Sequence, residues 1–367
     1  MESAQADDWQ LDFVKMEFLG ESMTQQTERY DDRTVAIWLL ICAATIFGMI
    51  LLGGVTRLTD SGLSMVDWRP IMGVVPPLST SDWVALFEEY KLYPEYQLIN
   101  QSMTLAEFKV IFYYEYLHRM LGRLIGLLFF VPLVVLWLRG RIRPQLMPRL
   151  LFLLLLGGAQ GFMGWYMVQS GLVDRPDVSQ YRLTAHLGLA IAIYGLIVWQ
   201  ITSLLSNSRT YRMGAGMGPV YLIGLVYLMI LSGGFVAGTD AGLSFPTWPL
   251  MGDSFIPTAL YRDGWISAFE QVTTIHFNHR MLAYLTALVV VIVATRSLTK
   301  SADSRVRIAS WLLLLILACQ VLLGISTVLT HVAIPIAAAH QSGAVLLLTA
   351  TVFWVHSKQT ENLRSDF

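Results

Sequence analysis

Apolar residues in this chain recur in eight long runs, separated by shorter segments rich in polar, charged and proline residues. A helical run of about 20 apolar residues spans the roughly 30 Å hydrocarbon core of a bilayer. The pattern therefore predicts eight transmembrane helices, at residues 34–56, 107–138, 148–170, 182–205, 217–238, 269–297, 308–330 and 335–356.

The second half of the sequence repeats the first half in the same order. The stretch GGVTRLTDSGLSMVDWRPIMG at 53–73 aligns with GGFVAGTDAGLSFPTWPLMG at 233–252, and later short motifs align as well. Four spans per half is an even number, so both halves cross the membrane in the same direction, as in a parallel repeat. We therefore expect an all-α integral membrane protein whose eight transmembrane helices form two pseudo-twofold-related four-helix bundles.

The repeat also predicts the domain boundaries. The expected parts are a cytoplasmic N-terminal segment at 1–33, an N-terminal bundle at 34–205, a cytoplasmic linker at 206–216, a C-terminal bundle at 217–357 and a cytoplasmic tail at 358–367.

Composition supports a membrane protein. Hydrophobic residues make up 55% of the chain, charged residues only 14%, and the mean hydropathy is +0.55. We expect the lipid bilayer as its surroundings and no nucleic-acid partner. Both cysteines, Cys42 and Cys319, lie inside apolar spans, where a small hydrophobic residue is ordinary, so neither a disulfide nor a metal is assigned to them.

Basic residues in the loops predict the orientation. Lys and Arg are concentrated in the N-terminal segment, in the C-terminal tail and in the loops at 139–149, 206–216 and 298–307. This distribution predicts that both termini lie in the cytoplasm. The first 33 residues are acidic and have no apolar core before a small-residue cleavage site, so they fit neither a secretory signal nor a mitochondrial transit peptide. The expected location is a bacterial inner membrane.

Four of the seven histidines are related by the repeat: His118 aligns with His279, and His186 with His340. Each lies near the start of a span that runs from outside to inside, so all four belong toward the periplasmic side. Ionisable groups at membrane depth usually mark function, and two imidazoles from facing helices can hold a haem iron. The alternative is a set of core histidines that are hydrogen-bonded to backbone or hydroxyl groups.

The repeat breaks at Glu115, three residues before His118, because the second half has His276 there. Residues at i and i+3 share a helix face, so Glu115 should point into the same cavity as His118. A buried carboxyl is costly to ionise unless it is paired, which suits a group that handles protons. A salt bridge or hydrogen bond to Arg119, Arg123 or a tyrosine is the competing interpretation.

Several other residues near the outer ends of the spans have two interpretations. The arginines suit the binding of carboxylates such as haem propionates, but they could equally snorkel to the interface; they are Arg57, Arg119, Arg123, Arg182 and Arg280. The aromatic loop at 74–106 resembles an amphipathic cover at the membrane surface that shields the N-terminal cavity, although aromatic belts form at any interface.

The combination of motifs resembles the haem A synthase family of cytochrome oxidase assembly. The motifs that carry the resemblance are the two long repeat stretches, EYLHRMLGR at 115–123, QGFMGWYMVQSGL at 160–172, RLTAH at 182–186, HFNHRMLAY at 276–284 and AAHQ at 338–341. The resemblance implies two four-helix bundles and an enzyme that oxidises a ring methyl group of haem O to the formyl group of haem A.

The resemblance also implies roles for single residues. His118 and His186 match the ligands of the substrate haem, haem O, and with Glu115 they form the candidate catalytic set. His279 and His340 match the ligands of a haem b cofactor, and we assign Arg280 to cofactor binding. The implied partners are haem O synthase, cytochrome oxidase assembly factors and an electron donor that the sequence does not identify; a homo-oligomer is compatible with it.

Two other classes of protein compete with this interpretation. A dihaem bis-histidine cytochrome would only transfer electrons. For transfer across the membrane it would need haems near both faces, whereas the four repeat-related histidines are expected near one face. A transporter built from repeated halves would need Gly/Pro breaks and polar groups near the midplane of its spans, whereas most prolines here lie in loops and at helix ends.

Overall fold

The computed structural model describes residues 30–66, 72–173, 176–206 and 219–365. Most of the predicted N-terminal segment and nearly all of the predicted linker lie outside these residues. Within them the structure consists of helices and turns, and eight helices are long and apolar enough to cross a membrane. The prediction of an all-α protein with eight spans is confirmed.

The described part of the chain contains eleven α-helices, which are numbered in chain order. They are α1 (Asp32–Leu58), α2 (Thr80–Tyr90), α3 (Pro94–Leu98), α4 (Leu105–Leu138), α5 (Met147–Val168), α6 (Gln180–Leu205), α7 (Val220–Gly238), α8 (Ser267–Glu270), α9 (Val272–Lys300), α10 (Ser304–Leu329) and α11 (Ile334–Ser365). The short helices α2, α3 and α8 lie in the long loops, and the other eight are the candidate spans.

The last helix continues further than the hydrophobic pattern predicts. The apolar run ends near residue 356, but α11 extends to Ser365. Lys358 and Glu361 form an ion pair one turn apart on this extension, and the hydroxyl of Ser301 also binds Glu361. Polar contacts of this kind stabilise a helix beyond the lipid, where hydropathy gives no signal.

The spans pack as two rings of neighbours. In the first half, α1 and α5 each contact both α4 and α6; in the second half, α9 and α11 each contact both α7 and α10. The rings meet where α6 packs on α7, α1 on α11, and α6 on α11. The repeat aligns α1 with α7 and α6 with α11. When each of these helices is exchanged with its repeat equivalent, the same three contacts result. The two pseudo-twofold-related bundles stay a prediction that this arrangement supports.

The predicted cover at 74–106 is a folded outer cap, which we define as α2 and α3 packed on the N-terminal part of α4. Its core is a cluster of buried aromatic side chains: Trp83, Phe87, Tyr90, Phe108 and Phe112. With 34 residues, α4 is about 50 Å long, so its first turns extend past the roughly 30 Å hydrocarbon core and provide this packing surface. Capping boxes at Ser79–Asp82 and Thr104–Glu107 fix the starts of α2 and α4.

Candidate functional site

Each of the four repeat-related histidines packs against a glycine of the preceding span in its half. A Cβ atom added at Gly53 or Gly164 would lie 2.9 Å from Cε1 of His118 and 3.0 Å from Cε1 of His186, respectively. The glycines in the second half, Gly233 and Gly324, would bring a Cβ to 3.4 Å from Cε1 of His279 and 2.8 Å from Cε1 of His340. The glycine in each pair therefore leaves the space that the edge of the imidazole occupies.

The structure brings the histidines together in the pairs that the repeat predicts. His118 and His186 are near enough for a positive charge on one to repel a charge on the other, and so are His279 and His340. All four side chains are partly buried between their helices, and neutral imidazole is the form that binds iron.

Hydrogen bonds separate the metal-ligand interpretation from that of ordinary core histidines. Nδ1 of His118 and Nδ1 of His340 are buried and have no hydrogen-bond partner. Nδ1 of His279 lies 2.6 Å from the hydroxyl of Ser232, and the side-chain amide of Gln160 lies 3.2 Å from Nδ1 of His186. A buried ring nitrogen without a partner is costly, so two of the four do not fit the core-histidine interpretation.

The donor set suits a haem better than a bare metal ion. Among the residues that the structure describes, no three or more His, Cys, Asp or Glu side chains form a metal-binding group. A structural or catalytic zinc ion needs three or four protein ligands, whereas a haem iron takes only its axial ligands from the protein. Two facing imidazoles in each half are sufficient for a haem.

Glu115 is buried and paired. Its Oε1 accepts a hydrogen bond from Nη2 of Arg119 at 2.5 Å, and its Oε2 accepts from the Ser64 hydroxyl and the Met65 N–H, both at 2.7 Å. The salt bridge to Arg119, one of the two interpretations of this carboxyl, is thus present. Glu115 ties the loop after α1 to α4, one turn before His118.

A related anchor occurs in the second half, with different chemistry. Nη2 of Arg119 donates to the carbonyl of Met65 at 2.7 Å, and Nη2 of Arg280 donates to the carbonyl of Phe245, the repeat equivalent of Met65, at 3.0 Å. His276, at the position of Glu115, accepts from Nε of Arg280 at 3.1 Å. The loop anchor is common to both halves, but only the first half has a carboxylate in it.

Arg280, which the sequence assigns to cofactor binding, donates three hydrogen bonds to loop carbonyls. Besides Phe245 it binds the carbonyls of Thr247 at 2.8 Å and Leu250 at 3.1 Å. Arg280 therefore anchors the loop after α7 to α9, one residue after His279.

Two of the other arginines are also bound by protein groups. Arg57 bridges Asp60 at 2.7 Å and Asp240 at 2.8 Å, two aspartates that the repeat aligns, and so joins the outer ends of the two halves. Arg182 stacks on the ring of Tyr166 at 3.8 Å and donates to its carbonyl. Arg57 thus has carboxylate partners from the protein itself, which the sequence pattern does not reveal.

The outer cap contains a buried carboxyl that the sequence reasoning missed. Glu95 is 5% exposed and accepts a hydrogen bond from the Tyr90 hydroxyl at 2.9 Å. Burial raises the pKa of Glu95 to about 8; the hydroxyl of Tyr90 opposes that shift and the charge of Glu115 adds to it. A glutamate between aromatic residues in an amphipathic loop gives no sequence signal that distinguishes it from an exposed one.

We expect this carboxyl to make the stability of the folded cap depend on pH. The folded state keeps the proton of Glu95 up to about pH 8, whereas the unfolded chain loses it near 4.5. Stability should therefore be highest below pH 4.5 and fall as the pH rises from 4.5 to 8. Thermal unfolding of purified protein at pH 5 and pH 8 measures this. Glu95→Gln should flatten the decline, and the exposed Glu88→Gln should leave it unchanged; an unchanged decline in Glu95→Gln would contradict the assignment.

Comparison with known proteins identifies the family. Residues 36–352 match the family described as cytochrome oxidase assembly protein, COX15-CtaA. Heme A synthase of Nitrosospira multiformis is 49% identical over 331 residues, covering 88% of this chain and 93% of that protein. The chain belongs to the haem A synthase family. Heme A synthase COX15 of Bos taurus, a more distant member of this family, is 42% identical over 352 residues, covering 91% of this chain and 84% of that protein.

Proposed function

We propose that this protein oxidises the ring methyl group of haem O to give haem A, and that its N-terminal half is where the substrate binds. Family membership supports the activity. The observation that carries the site assignment is the pairing of partly buried histidines, each packed against a glycine, once in each half. His118 and His186 would hold haem O, and His279 and His340 would hold haem b.

The residues present fit these groups. Each imidazole packs against a glycine of a neighbouring helix. Two of the rings are also oriented by hydrogen bonds: His186 by Gln160 of α5, and His279 by Ser232 of α7. Partners of this kind fix the tautomer and direction of a ligating histidine. When bound, the haem would supply redox-active iron, and the imidazoles of His118, His186, His279 and His340 would hold it.

The carboxylate of Glu115 is the reason for placing the reaction in the N-terminal half. Each of the two successive two-electron oxidations breaks a C–H bond of the methyl group; the electrons pass to an external oxidant, and the proton needs an acceptor near by. Glu115 lies one turn before His118 and is the acceptor that the chain provides there, whereas the C-terminal half has the imidazole of His276. Glu115 would thus be both the loop anchor, through its ion pair with Arg119, and the proton acceptor.

We further propose a bacterial inner-membrane location with cytoplasmic termini and both haem sites toward the periplasm. The basic loops support the orientation, and all four histidines lie toward the same end of their helices as Arg57 and Asp240. Haem O synthase would supply the substrate, and cytochrome oxidase assembly would consume the product.

Expression in cells that make haem O but no haem A tests the activity. Chromatography of extracted haems should show haem A only when this chain is expressed. If the purified protein contained haem b alone and left supplied haem O unchanged, the protein would be a dihaem cytochrome for electron transfer instead.

The contacts between the glycines and the histidine rings give a second test, with a matched control on the same helix. Gly164→Ala places a methyl group 3.0 Å from Cε1 of His186, so the ring must shift by a few tenths of an ångström, and Gly164→Val should displace it further. Gly158→Ala, where nothing lies within 4 Å, gives the same gain in helix propensity without the contact. Haem content after purification should fall in the Gly164 variants and stay unchanged in Gly158→Ala. Equal haem content in all of them would argue against ligation by His186.

A further inference from the structure

One side chain of the second half inserts into the first half between the two histidine pairs. Nε2 of Gln341, on α11, donates to the carbonyl of Ile50, on α1, at 2.7 Å. A Cβ added at Gly54 would lie 1.9 Å from Oε1 of Gln341, so the amide occupies the notch that Gly54 leaves in α1. Because Ile50 and Gln341 are 291 positions apart, this contact exists only in the folded junction between the halves.

The contact lies next to a candidate iron ligand on each side. Gln341 directly follows His340. Gly54 directly follows Gly53, which seats the imidazole of His118. A continuous set of bonds and contacts therefore runs from His340 through Gln341 and α1 to His118.

The repeat-related junction lacks this hydrogen bond. The position of Gln341 is taken by Leu187, and Gly234, the equivalent of Gly54, faces Thr184, with 3.0 Å between its added Cβ and Oγ1. The hydroxyl of Thr184 is buried without a partner. Both junctions are closely packed and each has an interhelical hydrogen bond: Gln341 donates to Ile50 between α11 and α1, and the Tyr227 hydroxyl donates to the carbonyl of Gly188 between α7 and α6 at 3.1 Å. The first of these bonds is made by the residue next to His340.

We propose that Gln341 is a positioning residue that couples the two histidine pairs, so that the geometry of the C-terminal site determines the geometry of the N-terminal site. The inference rests on the proposed haem sites. A side-chain amide that is satisfied across a helix junction inside a membrane adds an interhelical hydrogen bond to the close packing of small residues and so ties one helix to the other. Gln341 touches no substrate; it acts through His340 on one side and through α1 on the other.

Two substitutions remove the contact from opposite sides. Gln341→Leu deletes the amide and introduces the residue found at the repeat-related position. Gly54→Ala keeps the amide but expels it from the notch in α1. Its control is Gly48→Ala on the same helix, where an added Cβ meets nothing within 4 Å. Thr184→Val is the control at the other junction. Gly54→Ala combined with Gln341→Ala removes the clash without restoring the hydrogen bond.

The readout is the low-spin ferric signal and midpoint potential of each haem in the purified full chain, with thermal unfolding measured alongside. We expect Gln341→Leu and Gly54→Ala to shift the signals of both haems, and the two controls to shift neither. The double variant should recover the thermal stability that Gly54→Ala loses but keep the shifted signals.

A shift confined to the haem of His279 and His340, or no shift at all, would overturn the coupling even if the chain makes haem A. Shifted signals at both haems in a chain that makes no haem A would leave the coupling standing and contradict the proposed function.

Discussion

A His186→Ala variant is expected to make no haem A while it still binds the haem of the C-terminal half. The substitution removes one of the two imidazoles of the N-terminal site and leaves a gap beside Gly164, but touches nothing around His279 and His340. Loss of a residue that merely orients a metal ligand costs about 10- to 100-fold, so loss of the ligand itself should reduce haem A formation by more than about 100-fold. Chromatography of extracted haems measures the product, and the absorption spectrum shows the remaining haem.

His356 provides the matched control. It is a histidine near the opposite end of a spanning helix, where its Nε2 lies 3.2 Å from the Ser203 hydroxyl and its ring packs on Trp199. His356→Gln keeps a polar group there and should retain full haem A formation. If His186→Ala and His356→Gln had equal effects, the histidine pair would have no special role.

The second large effect is expected from Glu115→Ala, which should lose both haem A formation and stability. The variant leaves Arg119 buried without its carboxylate and leaves the Ser64 hydroxyl and Met65 N–H without their acceptor. Breaking a buried ion pair from one side costs about 3–5 kcal/mol. Thermal unfolding and haem chromatography on the same preparation measure the two losses.

Glu115→Gln separates anchoring from proton transfer. The amide keeps the shape of the side chain and an oxygen acceptor for the loop, but it takes up no proton. We expect this variant to lose the ion pair with Arg119 but to keep an acceptor for Ser64 and Met65, so it should be more stable than Glu115→Ala and make little haem A. Undiminished haem A in Glu115→Gln would restrict Glu115 to holding the loop, and undiminished haem A in Glu115→Ala would remove it from the mechanism altogether.

The spans could be predicted from the sequence because bilayer thickness and helical rise impose one length on all of them. The outer cap could be predicted only as an amphipathic cover. Its helix starts were nonetheless encoded locally, since Ser79–Asp82 and Thr104–Glu107 are capping boxes with the usual spacing. The polar end of α11 could not be predicted from hydropathy, because ion pairs rather than apolar burial extend it.

The histidine pairs could be predicted because the repeat aligns them. The partner of Glu115 could not, because Arg119, Arg123 and the nearby tyrosines were all within reach along the helix, and the structure adds two donors from the loop after α1. Contacts between the halves were equally hidden. Arg57 binds Asp240 across 183 positions, and no local spacing reveals that distance.

Paired imidazoles are proposed to hold a haem in each half. A measurement of which side chains ligate the iron tests this proposal most directly. Electron paramagnetic resonance of the purified ferric protein supplied with haem O should show two low-spin bis-imidazole signals. His118→Ala and His186→Ala should both remove the same one of these signals. His279→Ala and His340→Ala should both remove the other signal. A colourless protein, or signals that persist in all four variants, would contradict the account.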